Sequence, residues 1–382
     1  MVGSSSTLES ALVQDLDGIA EIEPQWRALA ELRGNAFLTP EWFRSWWENR
    51  PAATSPLVVT TRRDDGSLAG VMPLVFDFAR RPRMIRFAGS SFGDRFGPAA
   101  REGDESDVAV ASMAALARAG LGRYPVVLNH VELIKTWWQK LGGASANRRT
   151  GIVQQRAQQP YIQLDGLDWE GYLASRSSNF RQQIRRRARK LESGHRVVVR
   201  PATSESLEAD MSHFFTLHAR RWQGQSSLDR PGAKPTLSAF ATAAQRRGWL
   251  RLRLLEVDGA PVAAFLGWRV GGTFAFYNSG FDPAWSAMSV GQVLLAKTIE
   301  SALEEGASEF DMLLGDEDYK RRFENASRDV STVVLTQSMT PTRLVIAAEA
   351  GARRLGRRLT AHPALGTTRH TLRRMLPTSR TH

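Results

Sequence analysis

The sequence predicts a mixed α/β (α+β) fold built as two similar halves and followed by a basic helical tail. Asp65-Gly66 and Asp258-Gly259 each separate two apolar runs, a pattern typical of a β-hairpin. In both halves, helical sequence containing tryptophan precedes the hairpin, and a strand and then a helix follow it. The length of 382 residues also exceeds what one small core needs. The expected division is residues 1–160, residues 161–340 and a tail over 341–382.

In the first half, the expected strands and helix cover residues 56–63, 68–78, 84–88 and 105–119. An irregular, glycine-rich connection joins the last strand to the helix. Its residues 89–93 read GSSFG and formally match a nucleophile elbow, but the glycines and proline that follow do not allow the helix that an elbow requires. We therefore expect this connection to form the wall of a substrate cleft. Asp94 and Arg95 either contact the substrate there or form an ordinary ion pair within the loop.

In the second half, the expected strands and helix cover residues 249–257, 261–270, 273–281 and 290–305. Apolar residues of this helix, from Val290 through Ile299 to Leu303, form one stripe typical of an amphipathic helix. Ser289 stands in the N-cap position, and Gly291 leaves room for a ligand to approach the unpaired N–H groups of the first turn. The start of this helix is therefore a predicted anion-binding site.

Positive charge is concentrated in two segments of a chain whose formal net charge is +12. Residues 176–200 contain nine Arg or Lys and one acid, and residues 341–382 contain nine Arg and one acid. Such surfaces favour anionic partners: a phosphorylated substrate, an anionic lipid surface or a nucleic acid.

The first basic segment is predicted to be an amphipathic helix over residues 178–191. Arg181, Arg185 and Arg189 follow one another along one face at a spacing of four residues. This face is either solvated, or it binds an anionic group of the donor or acceptor, because guanidinium groups match the geometry of phosphate.

The second basic segment places Leu344, Ala348, Leu355 and Leu359 near one helical face, with arginines on the other. This pattern indicates a helix lying at a membrane surface. A docking helix and a flexible basic tail are the alternatives.

Several chemistries are excluded or unsupported. The chain has no cysteine, so no thiolate nucleophile, disulfide or cysteine-ligated zinc is possible. Its seven histidines have none of the usual metal-site spacings, so we predict no metal.

His218, on a helix expected to begin near residue 204, is a candidate general base or a hydrogen-bonded core histidine. No signal peptide and no apolar run of about 18 residues is evident, so a cytoplasmic location is expected.

Residues 273–323 resemble the cofactor-binding core of the GNAT acyltransferases, and specifically the cellulose-biosynthesis (CelD/BcsL-like) branch, which is related to the tandem-domain FemABX aminoacyltransferases. The residues that carry this resemblance are Tyr277-Asn278-Ser279-Gly280-Phe281-Asp282-Pro283, Ser289-Val290-Gly291, Phe310-Asp311, Gly315-Asp316-Glu317-Asp318-Tyr319-Lys320 and, upstream, Phe180, Arg181, Arg185, Arg186, Leu191, Gly194, His218, Arg221 and Trp222. The GNAT phosphate loop reads Gln/Arg-x-x-Gly-x-Gly/Ala. Here residues 288–293 keep one glycine and lack the leading Gln or Arg.

The resemblance implies two GNAT-like domains, of which the second binds acetyl-CoA or another acyl-CoA. It implies that the donor is held by Tyr277, Asn278, Met288, Ser289, Val290, Gly291, Gln292 and Val293. Direct acyl transfer needs a proton acceptor, a donor to the oxyanion and an acid for the leaving thiolate. Candidates are Asp316 or Glu317 as the base, Tyr319 as the acid and His218 as a further proton carrier. The same acidic turn, balanced by the basic residues after it, is also typical of a helix N-terminus. Candidate acceptor contacts are Asp94, Arg95, Arg181, Arg185, Arg221, Trp222 and Lys320.

Three functional hypotheses follow. The first is an acyltransferase that moves an acyl group, in the first instance acetyl, from CoA to an amine or hydroxyl of an envelope-polysaccharide or cell-wall precursor, as in cellulose or exopolysaccharide biosynthesis. The second is a FemABX-like transferase that uses aminoacyl-tRNA, which the basic faces would hold. The third is a non-catalytic accessory protein of exopolysaccharide synthesis. Contact of residues 341–382 with an anionic membrane from the cytoplasmic side is one interpretation of the tail in each case, beside a docking helix and a flexible tail.

Overall fold

The computed structural model describes residues 8–141, 149–224, 226–315 and 317–337, together with residues 340, 343, 344 and 346–348. The α-helices are α1 (Leu16–Leu32), α2 (Pro40–Glu48), α3 (Glu105–Arg118), α4 (Trp137–Lys140), α5 (Trp169–Ala174), α6 (Ser178–Glu192), α7 (Leu207–Trp222), α8 (Ala233–Arg246), α9 (Val290–Glu304) and α10 (Asp318–Phe323). The strands are β1 (Glu9–Val13), β2 (Thr54–Arg62), β3 (Leu68–Asp77), β4 (Met84–Phe87), β5 (Ala99–Ala100), β6 (Val126–Glu132), β7 (Arg149–Gln163), β8 (Val197–Pro201), β9 (Leu250–Val257), β10 (Ala260–Val270), β11 (Thr273–Phe281), β12 (Glu309–Asp311) and β13 (Ala326–Gln337).

The strands form one continuous sheet in the order β1-β2-β3-β4-β6-β13-β7-β12-β11-β10-β9-β8, with β5 paired to β3. Each half contributes a run of antiparallel strands that ends in one parallel pair, β4 with β6 in the first half and β11 with β12 in the second. The two halves therefore share one strand order, as the repeated hairpin pattern predicts. The mixed α/β fold class is confirmed.

The two central strands are exchanged between the halves. β13, from the end of the described chain, pairs with β6 of the first half, whereas β7, which connects the halves, pairs with β12 of the second. β13 and β7 also pair with each other along twelve residue positions. The predicted boundary between residues 160 and 161 falls inside β7. Because hydrogen bonds run through this junction without a break, the two halves are joined as one sheet.

Both predicted hairpins are present. Asp258 and Gly259 have φ values of 53° and 85°, the left-handed conformation at both central positions that a two-residue type I′ turn requires. The predicted limits of β11 are confirmed, and those of α6 and α9 differ from the structure by one residue at the C-terminal end. The exchange of β7 and β13 was not predicted, since pairing across more than 150 residues has no local sequence signal.

A buried aromatic cluster joins the halves on one face of the sheet. Phe37 and Trp42 of the first half make edge-to-face contacts with Trp268 and Phe240 of the second at centroid distances of 5.7 and 5.1 Å. All four rings are at most 3% exposed. Such pairs contribute about 0.5–1.5 kcal/mol each beyond the apolar area that they bury.

An ion network fills the same junction within the sheet. Arg95, from the first-half connection, binds Asp311 at 2.6 Å, Glu132 at 3.1 Å and Glu309 at 3.4 Å. Arg328 on β13 completes the network by binding Glu309 at 2.5 Å and Glu132 at 3.5 Å. Burial disfavours the Asp311 carboxylate, but the two guanidinium groups outweigh that effect and hold its pKa below the usual range. Burial and the neighbouring Asp311 charge raise the pKa of Glu309.

We expect Asp311→Ala to lower the free energy of unfolding by about 3–5 kcal/mol, because it leaves buried guanidinium groups without a main partner. Urea denaturation followed by tryptophan fluorescence measures this change. The matched control is Lys135→Ala, which removes an exposed ion pair to Glu102 and should hardly move the denaturation midpoint. Equal midpoints for Asp311→Ala and wild type would show that the network does not hold the halves together.

Candidate active site

The candidate site lies where β11 and β12 separate. The two strands are paired in parallel over only three positions, Thr273 with Glu309 to Ala275 with Asp311. Beyond them, β11 contains a β-bulge, because Leu266 pairs with Asn278 and Gly267 with Phe276, leaving one extra residue in β11. Strands that diverge in this way open a cleft in the sheet. The cleft is covered on one side by α9 and on the other by α7.

A cavity of about 260 Å³ occupies this cleft. Its floor is apolar and comes from β10 and β11, and its rim carries serine hydroxyls, a guanidinium and a phenol. It is lined by Arg221, Ala264, Phe265, Phe276, Ser279, Phe281, Ser286, Ser289, Val290, Gly291, Gln292, Leu294, Leu295 and Tyr319. An apolar pocket with a few polar groups at its rim is typical of a small-molecule or cofactor site.

The N-terminus of α9 opens into the cavity. Ser289 stands at the N-cap with φ 55°, and its carbonyl accepts from Gln292 at 2.9 Å and Val293 at 3.1 Å. Its side chain makes no capping bond, so the expected serine cap is wrong. The amides of Val290 and Gly291 bond to no residue in the described part of the chain. They are the unpaired donors of a fifteen-residue helix and offer an anion site.

Arg221 and Tyr319 face the same cavity. The Arg221 guanidinium donates to Ser279 Oγ at 2.5 Å, and its carbon lies 5.5 Å from the centre of the Tyr319 ring. Burial raises the pKa of Tyr319 to about 12, with the charge of Arg221 opposing this effect. The phenol therefore keeps its proton at neutral pH and can donate it. The site thus combines a proton donor with a fixed positive charge.

The turn between β12 and α10 carries the predicted base. Glu317 lies at the N-terminus of α10. Its buried Oε2 atom is 3.3 Å from the Lys320 ammonium, an ion-pair distance, but it accepts no hydrogen bond from a described residue. Lys320 is only 5% exposed and donates to the Leu314 carbonyl at 2.8 Å. Its ammonium is therefore engaged inside the turn. Asp316 lies outside the described residues.

The predicted donor contacts divide into two groups. Ser289, Val290, Gly291 and Gln292 line the cavity. The others do not: the Tyr277 hydroxyl donates to the Phe92 carbonyl at 2.8 Å, Asn278 accepts from the Ser279 amide at 2.9 Å, and Met288 and Val293 pack into the second-half core. At the bulge, β11 presents Tyr277 to the first half, whereas Ser279 takes the position at the cavity wall.

Asp94 and Arg95 lie at the junction of the halves. Arg95 binds three carboxylates that all lie outside its own connection, so it forms an ion network between the halves and not an ion pair within the loop. Asp94 Oδ2 accepts from the Leu314 amide at 3.2 Å, and its Oδ1 lies 3.4 Å from His130 Nδ1. Burial raises the pKa of Asp94, opposed by the charge of His130.

On α6, the arginine that reaches the candidate site is one that the sequence reasoning missed. Arg181 donates to the Ala174 carbonyl at 3.1 Å, and Arg185 pairs with Glu170 at 2.6 Å, so both are turned toward α5. Arg187 instead donates to Gln292 Oε1 in the first turn of α9, at 2.5 Å. Arg187 follows Ile184 by three residues, which places it beside the apolar face of α6. This spacing could have identified Arg187 from the sequence.

His218 and Trp222 lie on α7 behind β11. The helix packs directly against Gly280, where a Cβ atom would come within 2.2 Å of the His218 amide nitrogen. His218 is 2% exposed, lies 3.2 Å from Ser226 Oγ and does not line the cavity. Desolvation lowers its pKa to about 4. Trp222 donates to the Ser279 carbonyl at 3.3 Å and so braces the cavity wall.

The predictions about the tail and about a metal site can be compared only with the residues that the structure describes. Most of the tail over residues 341–382, including Leu355 and Leu359, lies outside the described residues; Ile346 packs against Val127 and Val334. Among the residues that the structure describes, no helix has the length and apolar character needed to cross a membrane. The same residues contain no group of three or more potential metal ligands.

The second half of the chain is similar to the GNAT acetyltransferase domain. Residues 178–321 match the family model of the acetyltransferase (GNAT) domain, a span that runs from α6 to α10 and includes the cavity. No curated protein sequence matches the chain. The match does not distinguish the cellulose-biosynthesis branch from other GNAT proteins.

Solved structures show the same fold over most of the chain. FemX is 11% identical with a TM-score of 0.60, and the match covers 89% of this chain and 100% of FemX. The C-terminal domain of a putative lysylphosphatidylglycerol synthetase from Agrobacterium fabrum is 12% identical, covers 88% and 95%, and has a TM-score of 0.55. A conserved protein of unknown function from Bacteroides thetaiotaomicron is 11% identical, covers 85% and 99%, and has a TM-score of 0.52.

We expect His218 to contribute to acid destabilisation. Because its pKa is lower in the folded state than in the unfolded state, the unfolded chain binds more protons between pH 4 and 6.5. Stability should therefore rise with pH across this window and level off above it, by up to about 3 kcal/mol from this group. Urea denaturation at several pH values should show a shallower rise for His218→Gln. Identical pH profiles for the two proteins would contradict the buried neutral state.

Proposed function

We propose that this protein transfers an acyl group from an acyl-CoA to an amine or hydroxyl. One observation carries the proposal: unpaired amides at the N-terminus of α9 and the pair of Arg221 and Tyr319 face the same cavity. The amides suit the pyrophosphate of the donor, and the apolar floor suits its pantetheine arm. The thioester would then lie beside Tyr319.

The residues around the cavity can perform each part of the reaction. The nucleophile attacks the thioester carbonyl carbon, and its proton passes to Glu317, which lies two residues before Tyr319 at the N-terminus of α10. As the carbon–sulfur bond breaks, the Tyr319 hydroxyl protonates the leaving thiolate, which its raised pKa allows at neutral pH. Arg221 supplies positive charge where negative charge develops.

The acceptor that we propose is an envelope-polysaccharide or cell-wall precursor, reached in the cytoplasm, with acetyl as the acyl group. This part rests on the resemblance to the cellulose-biosynthesis branch. The basic tail would hold the protein at an anionic membrane where such precursors are assembled.

A second candidate is transfer from aminoacyl-tRNA. It is favoured by Arg186 and Arg322, which flank Arg187 beside α9 and have no carboxylate partner in the described part of the chain. Burial, and then the like charges of Arg322 and Arg186, lower the pKa of Arg187. The overlap with FemX and with a putative lysylphosphatidylglycerol synthetase also supports this candidate.

Donor binding is tested by thermal unfolding with acetyl-CoA. A ligand present at about 100 times its Kd stabilises the folded state by about 2.7 kcal/mol, so the melting temperature should rise by several degrees. Gly291→Val should abolish this rise, because a Cβ at this position already comes within 3.2 Å of the Phe281 ring and blocks the amides. Gly194→Val is the matched control, since a Cβ there meets no atom within 4 Å.

The two candidates give different results in this experiment. A shift with acetyl-CoA that Gly194→Val keeps and Gly291→Val loses supports the acyl-CoA donor. No shift with any acyl-CoA, together with a salt-sensitive shift on adding aminoacyl-tRNA, would favour the second candidate.

Tyr319→Phe separates proton donation from packing, because it removes only the hydroxyl. We expect kcat with acetyl-CoA to fall about 100-fold, as for loss of a general acid, while donor affinity stays the same. Tyr124→Phe, in the first half, is the control and should keep wild-type rates. An unchanged kcat in Tyr319→Phe would limit this tyrosine to a structural role.

A further inference from the structure

The first half contacts the turn that carries Glu317 and Tyr319 at two points. Asp94 Oδ2 accepts from the Leu314 amide at 3.2 Å, a contact that spans 220 residues of sequence. The adjacent Arg95 donates to the Asp311 side chain at 2.6 Å. Consecutive residues of the first-half connection thus hold both the end of β12 and the residue three positions later.

This turn requires external support, because its backbone conformation is unfavourable by itself. Leu313 has φ 54°, a left-handed conformation that costs a residue with a side chain about 1–2 kcal/mol, and Gly315 has φ 138°. Leu314, between them, is fixed at both polar groups: its amide donates to Asp94 and its carbonyl accepts from Lys320 at 2.8 Å. Replacing the first of these partners would leave only the Lys320 contact.

Asp94 is itself oriented by a strained residue. His130, at the end region of β6, has φ 49°, and its Nδ1 atom lies 3.4 Å from Asp94 Oδ1 and 3.3 Å from the Gly93 carbonyl. The two oxygens of Asp94 therefore have different partners, His130 for one and Leu314 for the other. Strained residues that are held by surrounding structure concentrate at functional sites.

We propose that Asp94, oriented by His130, is a positioning residue that holds the turn over residues 313–315, so that Tyr319 is presented to the cavity in its reactive geometry. The first half would then be part of the catalytic apparatus even though the donor cavity lies in the second. The catalytic consequence rests on the proposed function; the structural consequence does not.

Two substitutions at one position test this role. Asp94→Ala removes the acceptor for the Leu314 amide, whereas Asp94→Asn keeps an oxygen that can accept the same bond. Hydrogen exchange of the peptide covering residues 311–320 should become about 10-fold faster in Asp94→Ala and change less than about threefold in Asp94→Asn. Exchange in β9 and β10 should stay the same in both variants. This readout needs no substrate.

Kinetics with acetyl-CoA and hydroxylamine as a small acceptor provide the second readout. We expect Asp94→Ala to lower kcat about 10-fold without changing the KM for acetyl-CoA, and Asp94→Asn to restore most of the rate. If Asp94→Ala does not fold, His130→Ala provides the same test. It should also make exchange of residues 311–320 faster and lower kcat, in both cases by less than Asp94→Ala.

The results of these experiments distinguish failure of the positioning role from failure of the proposed function. Unchanged exchange of residues 311–320 in Asp94→Ala would overturn the proposal. Rates as low in Asp94→Asn as in Asp94→Ala would also overturn it, because the carboxylate charge, and not the bond to Leu314, would then be required. If wild type neither binds nor uses acetyl-CoA, the proposed function fails, while the exchange experiment still decides the positioning role.

Discussion

A buried ion pair between Arg95 and Asp311, at 2.6 Å, joins the first half to the strand beside the cavity. Asp311 ends β12 and is fully buried, so its carboxylate must find partners inside the protein. One oxygen accepts from Gln159 on β7 and from the Leu313 amide, and the other from Arg95 of the first half. A single side chain therefore ties together the second-half sheet, the exchanged central strand and the first-half connection. The bond to Leu313 also fixes where β12 ends and where the turn leading to Glu317 begins.

The cavity between β11 and β12 follows from the same geometry. Because Asp311 terminates β12, the parallel pairing with β11 stops after three positions and the strands diverge. The bulge in β11 then turns Tyr277 toward the first half and leaves Ser279 at the cavity wall, where it accepts from Arg221. The N-terminus of α9 needs only to lie across this gap to direct its amides into it.

The sequence predicted features that depend on local chemistry. Asp-Gly turns, the apolar stripe of α9 and the motif around Tyr319 allowed the hairpins, the helix and the cavity rim to be placed. Features that depend on contacts between residues far apart in the chain could not be predicted from the sequence. The arginine of α6 that reaches α9 is Arg187, not Arg181 or Arg185, and the choice is decided by how α6 packs. The exchange of β7 and β13, and the inward orientation of Tyr277, likewise depend on contacts between halves.

The two halves thus have unequal roles within one architecture. The second half has a helix whose amides are free at a cavity; at the corresponding place, the first half has the long connection after β4, whose Asp94 and Arg95 point into the second half instead. Because Asp94 contacts Leu314 and His130, next to or at residues with left-handed backbone, a change in the first half would reach the turn before Tyr319, and with it one wall of the cavity.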